Sequence, residues 1–357
     1  MIETRPSAAH RWTRCSAAPL FAHLARQAGR QPADTDAARE GTCAAWLAEQ
    51  VLTGVIATAW IGEGLIHPNG WPVDAEMMYH VQNYCDMITA AGGVTSAERK
   101  VWLSERVSGT LDNCATMRDG QIVVRDLKYG KLLVETDTEQ LVIYAGALLR
   151  EYPDATAVRT EIYQPRGFHR DGIHRGRDWT PDEIRDRCAW IIERAEMCHA
   201  PDPVATPGTH CSYCEAVTGC EALSSTVLHI VESVGYRDRT PSELGQALHM
   251  HREALAIVKI AAGAIESEAD ARIDRGEHIP GWGYTERLGQ TKVTTPPDVI
   301  TALTGVQAVK SVPLGVTELR KAGLSEKQVA AFTTRPVIGR KLEPLDAATL
   351  ARQFKGV

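Results

Sequence analysis

The sequence predicts an α/β fold in which a mixed β-sheet is flanked by helices. Asp119-Gly120 is a dipeptide that supplies the positive φ angles of a tight turn, and β-favouring residues lie on both sides of it. A helical pattern at residues 138–150 follows this hairpin, and a third strand-like segment follows at residues 158–164. Alternation of strands and helices in this way is typical of the α/β class.

The individual elements follow from local signals. TPDE at residues 180–183 and TPSE at residues 240–243 are capping boxes with proline at the first helical position, so each predicts the start of a helix. The strand that returns from the hairpin is predicted at residues 121–128. Helices are predicted at residues 34–53, 74–91, 138–150, 180–199, 240–276, 297–304, 325–332 and 346–354.

These elements suggest five segments. Residues 1–33 form an N-terminal arm, and residues 34–200 form the α/β core. Residues 201–223 are a cysteine-rich segment, residues 224–276 a long helix, and residues 277–357 a C-terminal extension with dispersed positive charges.

Composition is that of an ordinary globular protein. The 357 residues are 44% hydrophobic and 24% charged, and the formal net charge is −6 at pH 7. No run of about 18 apolar residues is present, and the N-terminus lacks the apolar core of a signal peptide. We therefore expect a cytoplasmic protein with no membrane association. The acidic total does not by itself indicate a nucleic-acid partner, so local clusters of charge decide that question.

Two charges end the returning strand on one face. The alternation of side chains along a strand places Asp126 and Lys128 on the same side, and Asp112 lies on the neighbouring strand of the hairpin. A buried carboxylate and ammonium are costly unless they pair, bind metal or take part in chemistry. Two carboxylates with one lysine are suited to Mg²⁺ or Mn²⁺ and to metal-dependent hydrolysis of a phosphodiester.

Three segments in order resemble a known nuclease family. GTLD at residues 109–112, DLK at 126–128 and QLVIY at 140–144 are similar to the GxxD, (D/E)xK and QxxxY motifs of PD-(D/E)XK nucleases of the RecB/Cas4 type. The resemblance implies a restriction-endonuclease-like core and a metal-dependent DNA exonuclease. It also implies that Asp112, Asp126 and the main-chain carbonyl of Leu127 bind the metal. Lys128 would then position or activate water, and Gln140 and Tyr144 would align the substrate.

One motif position departs from this family. The family has a glycine followed four residues later by a metal-binding histidine, but Gly41 is followed by Ala45. Glu49 lies one helical turn further on and is either a site carboxylate or a solvated surface residue. Glu105 shares strand parity with apolar neighbours and is either a buried site acid or a charge at the sheet edge.

Four of the nine cysteines form a spaced group. Cys211, Cys214 and Cys220 lie in a turn-rich segment, and Cys15 lies in an early RWTRC stretch. This arrangement resembles the [4Fe-4S] clasp of Cas4 and AddB nucleases, and the RWxxC stretch is similar to that of phage DUF2800 proteins. Structural zinc, with a ligand such as His210 or His199, and unligated thiols are the alternatives. The remaining five cysteines are expected to act as small apolar residues.

A basic segment follows the strand at residues 158–164. It contains Arg166, Arg170, Arg175 and Arg177, which are either phosphate contacts for DNA or charges on a solvated loop. The segment is predicted to be a loop in either case.

Other functions remain open at this point. The substitution at Ala45 is compatible with a nuclease fold that binds DNA without cleaving it, and the cysteine group is compatible with a redox-sensing iron–sulfur protein. The family resemblance also suggests phage-type recombination, with a single-strand annealing protein as a partner and homo-oligomers as a possible assembly.

Overall fold

The chain divides into two units, Met1–Ala262 and Gly263–Val357. The structure is a computed structural model, and it describes residues 2–29, 35–56, 65–233, 240–288, 291–308, 315–334 and 337–344.

The first unit is built around a five-stranded mixed sheet. Its spatial order is the chain order, and only the third and fourth strands run parallel to each other. The strands are β1 (Val94–Trp102), β2 (Ser108–Thr116), β3 (Gln121–Leu127), β4 (Ala157–Tyr163) and β5 (His174–Trp179). The predicted mixed sheet is thereby confirmed.

The predicted hairpin joins β2 to β3. The Met117 amide donates to the Gln121 carbonyl at 2.9 Å, and Gly120 takes a φ of +84° at the turn. A residue with a side chain is strained at that φ, which explains the glycine. The local turn signal was therefore sufficient to locate this pair of strands.

Eight helices are described in residues 2–274. They are α1 (Ala9–Trp12), α2 (Ala18–Gln27), α3 (Asp36–Leu52), α4 (Ala75–Ala91), α5 (Glu139–Glu151), α6 (Pro181–Cys198), α7 (Glu221–Ser233) and α8 (Pro241–Asp274). The capping signals explain several of their starts. Thr138 accepts a hydrogen bond from the Leu141 amide at the start of α5, and Thr180 forms the predicted capping box with Glu183. The segment predicted as one long helix at residues 224–276 contains most of α7 and all of α8.

Helices cover both faces of the sheet. Buried residues of α5 and α6 pack with β1 to β4 in one apolar cluster, whereas α3 and α4 pack on the other side with Leu127, Tyr129 and Tyr163. Helix α5 connects the parallel pair β3 and β4, so its N-terminal turn lies next to the end of β3. This connection brings α5 side chains to the charged end of the hairpin.

The N-terminal segment docks on residues far along the chain. The Ser16 hydroxyl and the main-chain groups of Val204 bond in both directions, at 2.8 and 3.1 Å. The Arg194 guanidinium donates to the Thr13 carbonyl at 2.7 Å, and Arg11 donates to the Tyr213 carbonyl. These bonds hold the segment that carries Cys15 against the cysteine-rich segment.

The second unit contains short elements. Strands β6 (Trp282–Leu288) and β9 (Val337–Pro344) form one antiparallel pair, and β7 (Lys292–Val293) and β8 (Thr333–Thr334) form another. The helices between them are α9 (Pro297–Thr304), α10 (Val316–Lys321) and α11 (Glu326–Ala331). The helices expected at 297–304 and 325–332 are present, and the one expected at 346–354 lies outside the described residues.

The basic segment at residues 166–177 is not a continuous loop, as the sequence had suggested. Its second half forms β5, an edge strand paired with β4. Most residues of this strand are charged or exposed, so hydrophobic alternation did not reveal it.

Candidate functional site

The charged ends of β2 and β3 meet at one point. The Lys128 ammonium lies 3.1 Å from Oδ1 and 2.9 Å from Oδ2 of Asp126, and Asp126 is only 2% exposed. The Leu127 amide donates a hydrogen bond of 2.9 Å to Oδ2 of Asp112. The structure therefore brings both predicted carboxylates and the predicted lysine together.

Helix α5 adds two polar side chains to this point. The Lys128 ammonium donates to Oε1 of Gln140 at 3.2 Å, and Nε2 of Gln140 lies 3.5 Å from the Tyr144 hydroxyl. That hydroxyl donates to the Thr110 carbonyl on β2 at 2.7 Å. A continuous series of hydrogen bonds thus links α5 to both strands of the hairpin, because Gln140 and Tyr144 are one helical turn apart.

Burial and a neighbouring charge change the ionisation of one of the two carboxylates. Burial and the charge of Asp126 raise the pKa of Asp112 to about 7, although Lys128 and the Leu127 amide oppose this shift. Burial alone would lower the pKa of Lys128, but the charges of Asp126 and Asp112 outweigh burial and raise it. Lys128 is therefore protonated. The negative charge of Asp112 and Asp126 favours an additional cation.

The donor set fits a divalent cation. Oδ2 of Asp126 is buried and has no well-aligned hydrogen bond, despite the nearby ammonium of Lys128. Hard carboxylate oxygens of this kind suit Mg²⁺ or Mn²⁺. Within the described ranges, no three His, Cys, Asp or Glu side chains already have the arrangement of a single-ion site. The fit therefore rests on the chemistry of the carboxylate donors alone.

A further acid, Glu98, lies beside this site and was not identified from the sequence. Strand β1 pairs Ala97 with Asn113 and Arg99 with Leu111, which places Glu98 opposite Asp112. Glu98 is half-buried. Glu98 is followed by the charged residues Arg99 and Lys100, so the sequence resembles that of an exposed edge strand. Only the strand register shows that Glu98 lies opposite Asp112.

Glu49 reaches the same region from α3. Burial and the charge of Glu49 raise the pKa of Glu98 to about 6. Glu49 is half-buried and follows Ala45 by one helical turn. Glu49 thus lies near Glu98, because α3 packs against β1.

Glu105 does not join the cluster. Strand β1 ends at Trp102, and the Leu103 amide closes a turn on the Val107 carbonyl at 2.9 Å. Glu105 is exposed in that turn, so the suggestion that it is a buried acid was wrong. Strand parity did not apply, because the chain turns before this residue.

The four spaced cysteines line one cavity. They are Cys15, Cys211, Cys214 and Cys220. The Thr206 amide donates to Sγ of Cys15, and the Gly208 amide donates to Sγ of Cys211, each at 3.4 Å. Amide donors to sulfur are the environment that thiolate-bound metal centres use.

The neighbours of this cavity also bear on its chemistry. Burial raises the pKa of Cys214, and the Arg11 charge partly opposes that shift. His210 lines the cavity and bonds through Nε2 to the Thr206 carbonyl at 2.9 Å, whereas His199 is not among the lining residues. The other five cysteines are buried, in agreement with an apolar role: Cys43, Cys85, Cys114, Cys188 and Cys198.

The four predicted DNA-contacting arginines have different environments. Arg175 is 6% exposed and donates to Oε1 of Gln164 and to the Gly172 and Val134 carbonyls, so its assignment as a DNA contact was wrong. The burial of Arg175 was not predicted, because the sequence does not show which residues accept its hydrogen bonds.

The other three arginines are less buried or more weakly paired. Arg166 pairs with Glu40 at 2.6 Å, and its side chain is 16% exposed. Arg177 pairs with Asp137 at 2.8 Å and is 46% exposed, whereas Arg170 is 89% exposed. Arg170 and Arg177 are thus the two that remain accessible to a phosphate.

No helix among the described residues is both long enough and apolar enough to cross a membrane.

Two solved structures are similar to part of the chain. One is a protein from Eubacterium rectale called a candidate exonuclease, with 8% identity, 68% of this chain and 92% of that chain covered, and a TM-score of 0.36. The other is the protein SSO0001, with 13% identity, 62% and 86% covered, and a TM-score of 0.30. At these TM-scores the likenesses do not define a shared fold.

A family comparison covers nearly the whole chain. The family described as "Protein of unknown function (DUF2800)" matches residues 4–337. The chain therefore belongs to the DUF2800 family.

Proposed function

We propose that this protein is a metal-dependent DNA nuclease that hydrolyses phosphodiester bonds, and that it acts as an exonuclease. The observation that carries the proposal is the convergence of Asp112, Asp126 and Lys128 with Gln140 of α5 at one end of the sheet. The preference for an exonuclease rests on the resemblance of the motifs to RecB/Cas4-type nucleases.

The metal-side groups are Asp112, Asp126 and the main-chain carbonyl of Leu127. A bound Mg²⁺ or Mn²⁺ supplies Lewis acidity at the phosphate and lowers the pKa of a water molecule. The Leu127 amide donates a hydrogen bond to Asp112 and so fixes the position of its carboxylate. Oδ2 of Asp126 is buried and has no aligned hydrogen bond.

The remaining groups act on water and substrate. The Lys128 ammonium orients the attacking water and offsets negative charge that develops on the phosphate oxygens. Water adds to phosphorus and loses a proton to solvent as the bond to the leaving sugar oxygen breaks, and that oxygen takes up a proton from solvent. Gln140 and Tyr144 fix the position of Lys128 relative to the hairpin through their hydrogen bonds.

The cysteine cavity is proposed to hold a [4Fe-4S] cluster bound by Cys15, Cys211, Cys214 and Cys220. The cavity joins the N-terminal segment to residues 204–220, so the cluster has a structural role there. Structural Zn²⁺ is the alternative, with His210 near the thiols.

DNA is the proposed substrate, and the exposed arginines Arg170 and Arg177 are its proposed phosphate contacts. Phage-type recombination with a single-strand annealing partner belongs to the same proposal, because it rests on the same resemblance.

The test is cleavage of end-labelled linear and covalently closed circular DNA by anaerobically purified protein with Mg²⁺ or Mn²⁺. Asp126→Ala and Lys128→Ala are compared with the matched surface variant Lys100→Ala, which lies on the exposed edge strand. We expect cleavage of linear DNA only, with losses of several orders of magnitude in the two site variants and none in Lys100→Ala. DNA binding without cleavage in every protein would instead support a nuclease fold that has lost its activity, as Ala45 suggests.

A further inference from the structure

The N-terminal segment forms an ion pair with the first turn of α5. Nη2 of Arg14 lies 3.0 Å from Oε1 of Glu139, and the Glu139 side chain is only 13% exposed. Within the part of the chain that the structure describes, Arg14 is the only basic residue in a salt bridge with this glutamate. A partly buried carboxylate is unfavourable without its counter-charge, so the loss of Arg14 would draw Glu139 towards solvent.

The backbone around Arg14 is held in place by other contacts. Nη1 of Arg14 donates to the His10 carbonyl at 2.7 Å, and Arg194 of α6 donates to the Thr13 carbonyl at 2.7 Å. An ion pair between two freely moving surface side chains loses most of its energy to the ordering of those side chains. Arg14 loses less, because its own side chain is hydrogen-bonded and its neighbour Thr13 is fixed to α6.

The same segment also packs beside Tyr144, further along α5. A Cβ on Gly109 would lie 2.6 Å from Cγ of Pro6 and 3.2 Å from Cε1 of Tyr144, so both rings pack against this glycine. Pro6 is buried, and the Tyr144 hydroxyl donates to the Thr110 carbonyl at 2.7 Å. Pro6 therefore fills the space beside the tyrosine ring and limits its movement.

The two contacts reach the residues that orient Lys128. Glu139 directly precedes Gln140, whose Oε1 accepts a hydrogen bond from the Lys128 ammonium at 3.2 Å. Nε2 of Gln140 lies 3.5 Å from the Tyr144 hydroxyl. Because neighbouring residues share one helical turn, a shift of Glu139 moves Gln140 and with it the acceptor of the lysine.

We propose that Arg14 is a positioning residue of the site. Its ion pair with Glu139 holds the first turn of α5, where Gln140 orients Lys128, and the packing of Pro6 supports the same arrangement. This inference rests on the proposed nuclease and extends its site to a segment that the three motifs do not include. Arg14 acts on the reaction only through α5.

The environment of Lys128 can be measured without any cleavage. Lysine labelled with ¹³C at Cε gives a resonance for each lysine in the full chain, and Lys128→Arg identifies the resonance of Lys128. We expect Arg14→Ala and Glu139→Ala to shift this resonance in the same direction as Gln140→Ala. Arg14→Lys keeps the positive charge and should restore most of the wild-type position.

Arg99→Ala is the matched control, because Arg99 pairs with Glu151 at the opposite end of α5. It removes an ion pair of the same helix and should leave the Lys128 resonance unchanged. A resonance that moves in Gln140→Ala but not in Arg14→Ala would overturn this inference, whether or not the protein cleaves DNA.

The comparison with Glu139→Ala separates α5 from the cysteine cavity. Arg14 is next to Cys15, which lines that cavity, whereas Glu139 is not among the lining residues. A shift of the lysine resonance in Arg14→Ala without one in Glu139→Ala would overturn the inference, because Arg14 would then act through Cys15.

Cleavage kinetics distinguish positioning from a loss of stability. Arg14→Ala should lower kcat by about three- to tenfold with little change in KM. In a Gln140→Ala background the same substitution should have no further effect on kcat, because the residue through which Arg14 acts is gone. Independent, additive losses would overturn the inference. A wild type that does not cleave DNA would contradict the nuclease proposal alone, since the lysine resonance still decides the role of Arg14.

Discussion

The Lys128 ammonium lies 2.9 Å from Oδ2 of Asp126. The lysine side chain is 28% exposed, whereas the aspartate side chain is only 2% exposed. The buried Asp126 is thus paired with a lysine that is partly accessible to solvent. This asymmetry means that the lysine can contact a substrate while the aspartate faces inward.

The first prediction separates these two residues. Lys128→Met removes a cation that competes with metal for the carboxylates, so Mn²⁺ affinity should rise or stay constant while the cleavage rate falls by about 10² or more. Asp126→Asn should lose both Mn²⁺ binding and cleavage. Titration with Mn²⁺ and single-turnover cleavage measure the two properties, and a joint loss in Lys128→Met would show that the lysine has no separate role.

The second prediction concerns the cysteine cavity. Anaerobically purified protein should have broad visible absorption with about four iron and four sulfide per chain, and Cys211→Ser should lose the absorption and lower the Tm. Cys43→Ala, a buried cysteine outside the cavity, should keep the absorption despite a loss of stability. Colourless wild type with one zinc per chain would support the zinc alternative.

The third prediction concerns the contact between α5 and α6. A Cβ on Gly146 would overlap Sγ of Cys188 and lie 3.0 Å from Cδ1 of Leu103. Gly146→Ala should therefore lower the free energy of unfolding by about 1–3 kcal/mol, even though alanine favours helix. Denaturant unfolding of Gly146→Ala in a Cys188→Ala background should recover part of this loss.

A matched glycine provides the control for that experiment. Gly245 lies in helix α8, and a Cβ there meets nothing within 4 Å. Gly245→Ala should raise the free energy of unfolding by up to about 1 kcal/mol. Equal effects at Gly146 and Gly245 would contradict the packing argument.

The fourth prediction is a pH dependence at Glu161. Burial alone would raise the pKa of this carboxyl, but hydrogen bonds from His174 and Arg159 and the charge of Arg125 outweigh burial and lower it to about 2. The folded value lies below the ordinary 4.5, so the stabilisation is present above about pH 4.5 and is lost as the pH falls towards 2. Glu161→Gln should cost about 3 kcal/mol at pH 6, with a difference that shrinks below pH 4.5.

The fifth prediction separates two arginines of the basic segment. Arg170→Ala should weaken DNA binding and reduce the salt dependence by about one phosphate contact, with unchanged stability. Arg175→Ala should instead lower the free energy of unfolding by about 2–4 kcal/mol, because it leaves buried carbonyls without their donor. Binding isotherms at several salt concentrations, together with urea unfolding, distinguish the two effects.

Local chemistry explains which elements the sequence could predict. The turn at Gly120 and the cap at Thr180 depend on neighbouring residues only, and alternation along β3 places Asp126 beside Lys128. These features were predictable because each is encoded within a few residues.

Features that depend on distant partners were not predictable in the same way. Glu98 lies opposite Asp112 only because of the register of β1, and Arg175 becomes buried through acceptors contributed by residues 134 and 164. Strand β5 lacks hydrophobic alternation because its charged residues pair with charges on β4, as Arg159 and Asp178 do. Spacing within a segment carries no information about such partners.

The docking of the N-terminal segment also sets an order on folding during synthesis. Ser16 bonds to Val204, which is 188 residues later in the chain. At roughly 5–20 residues per second, a ribosome needs about 10–40 s to add those residues. The hydrogen bonds between Ser16 and Val204 therefore cannot form until that time has passed. Docking of the N-terminal segment is therefore a late step in the synthesis and folding of this protein. Until that step, a chaperone can bind the undocked segment.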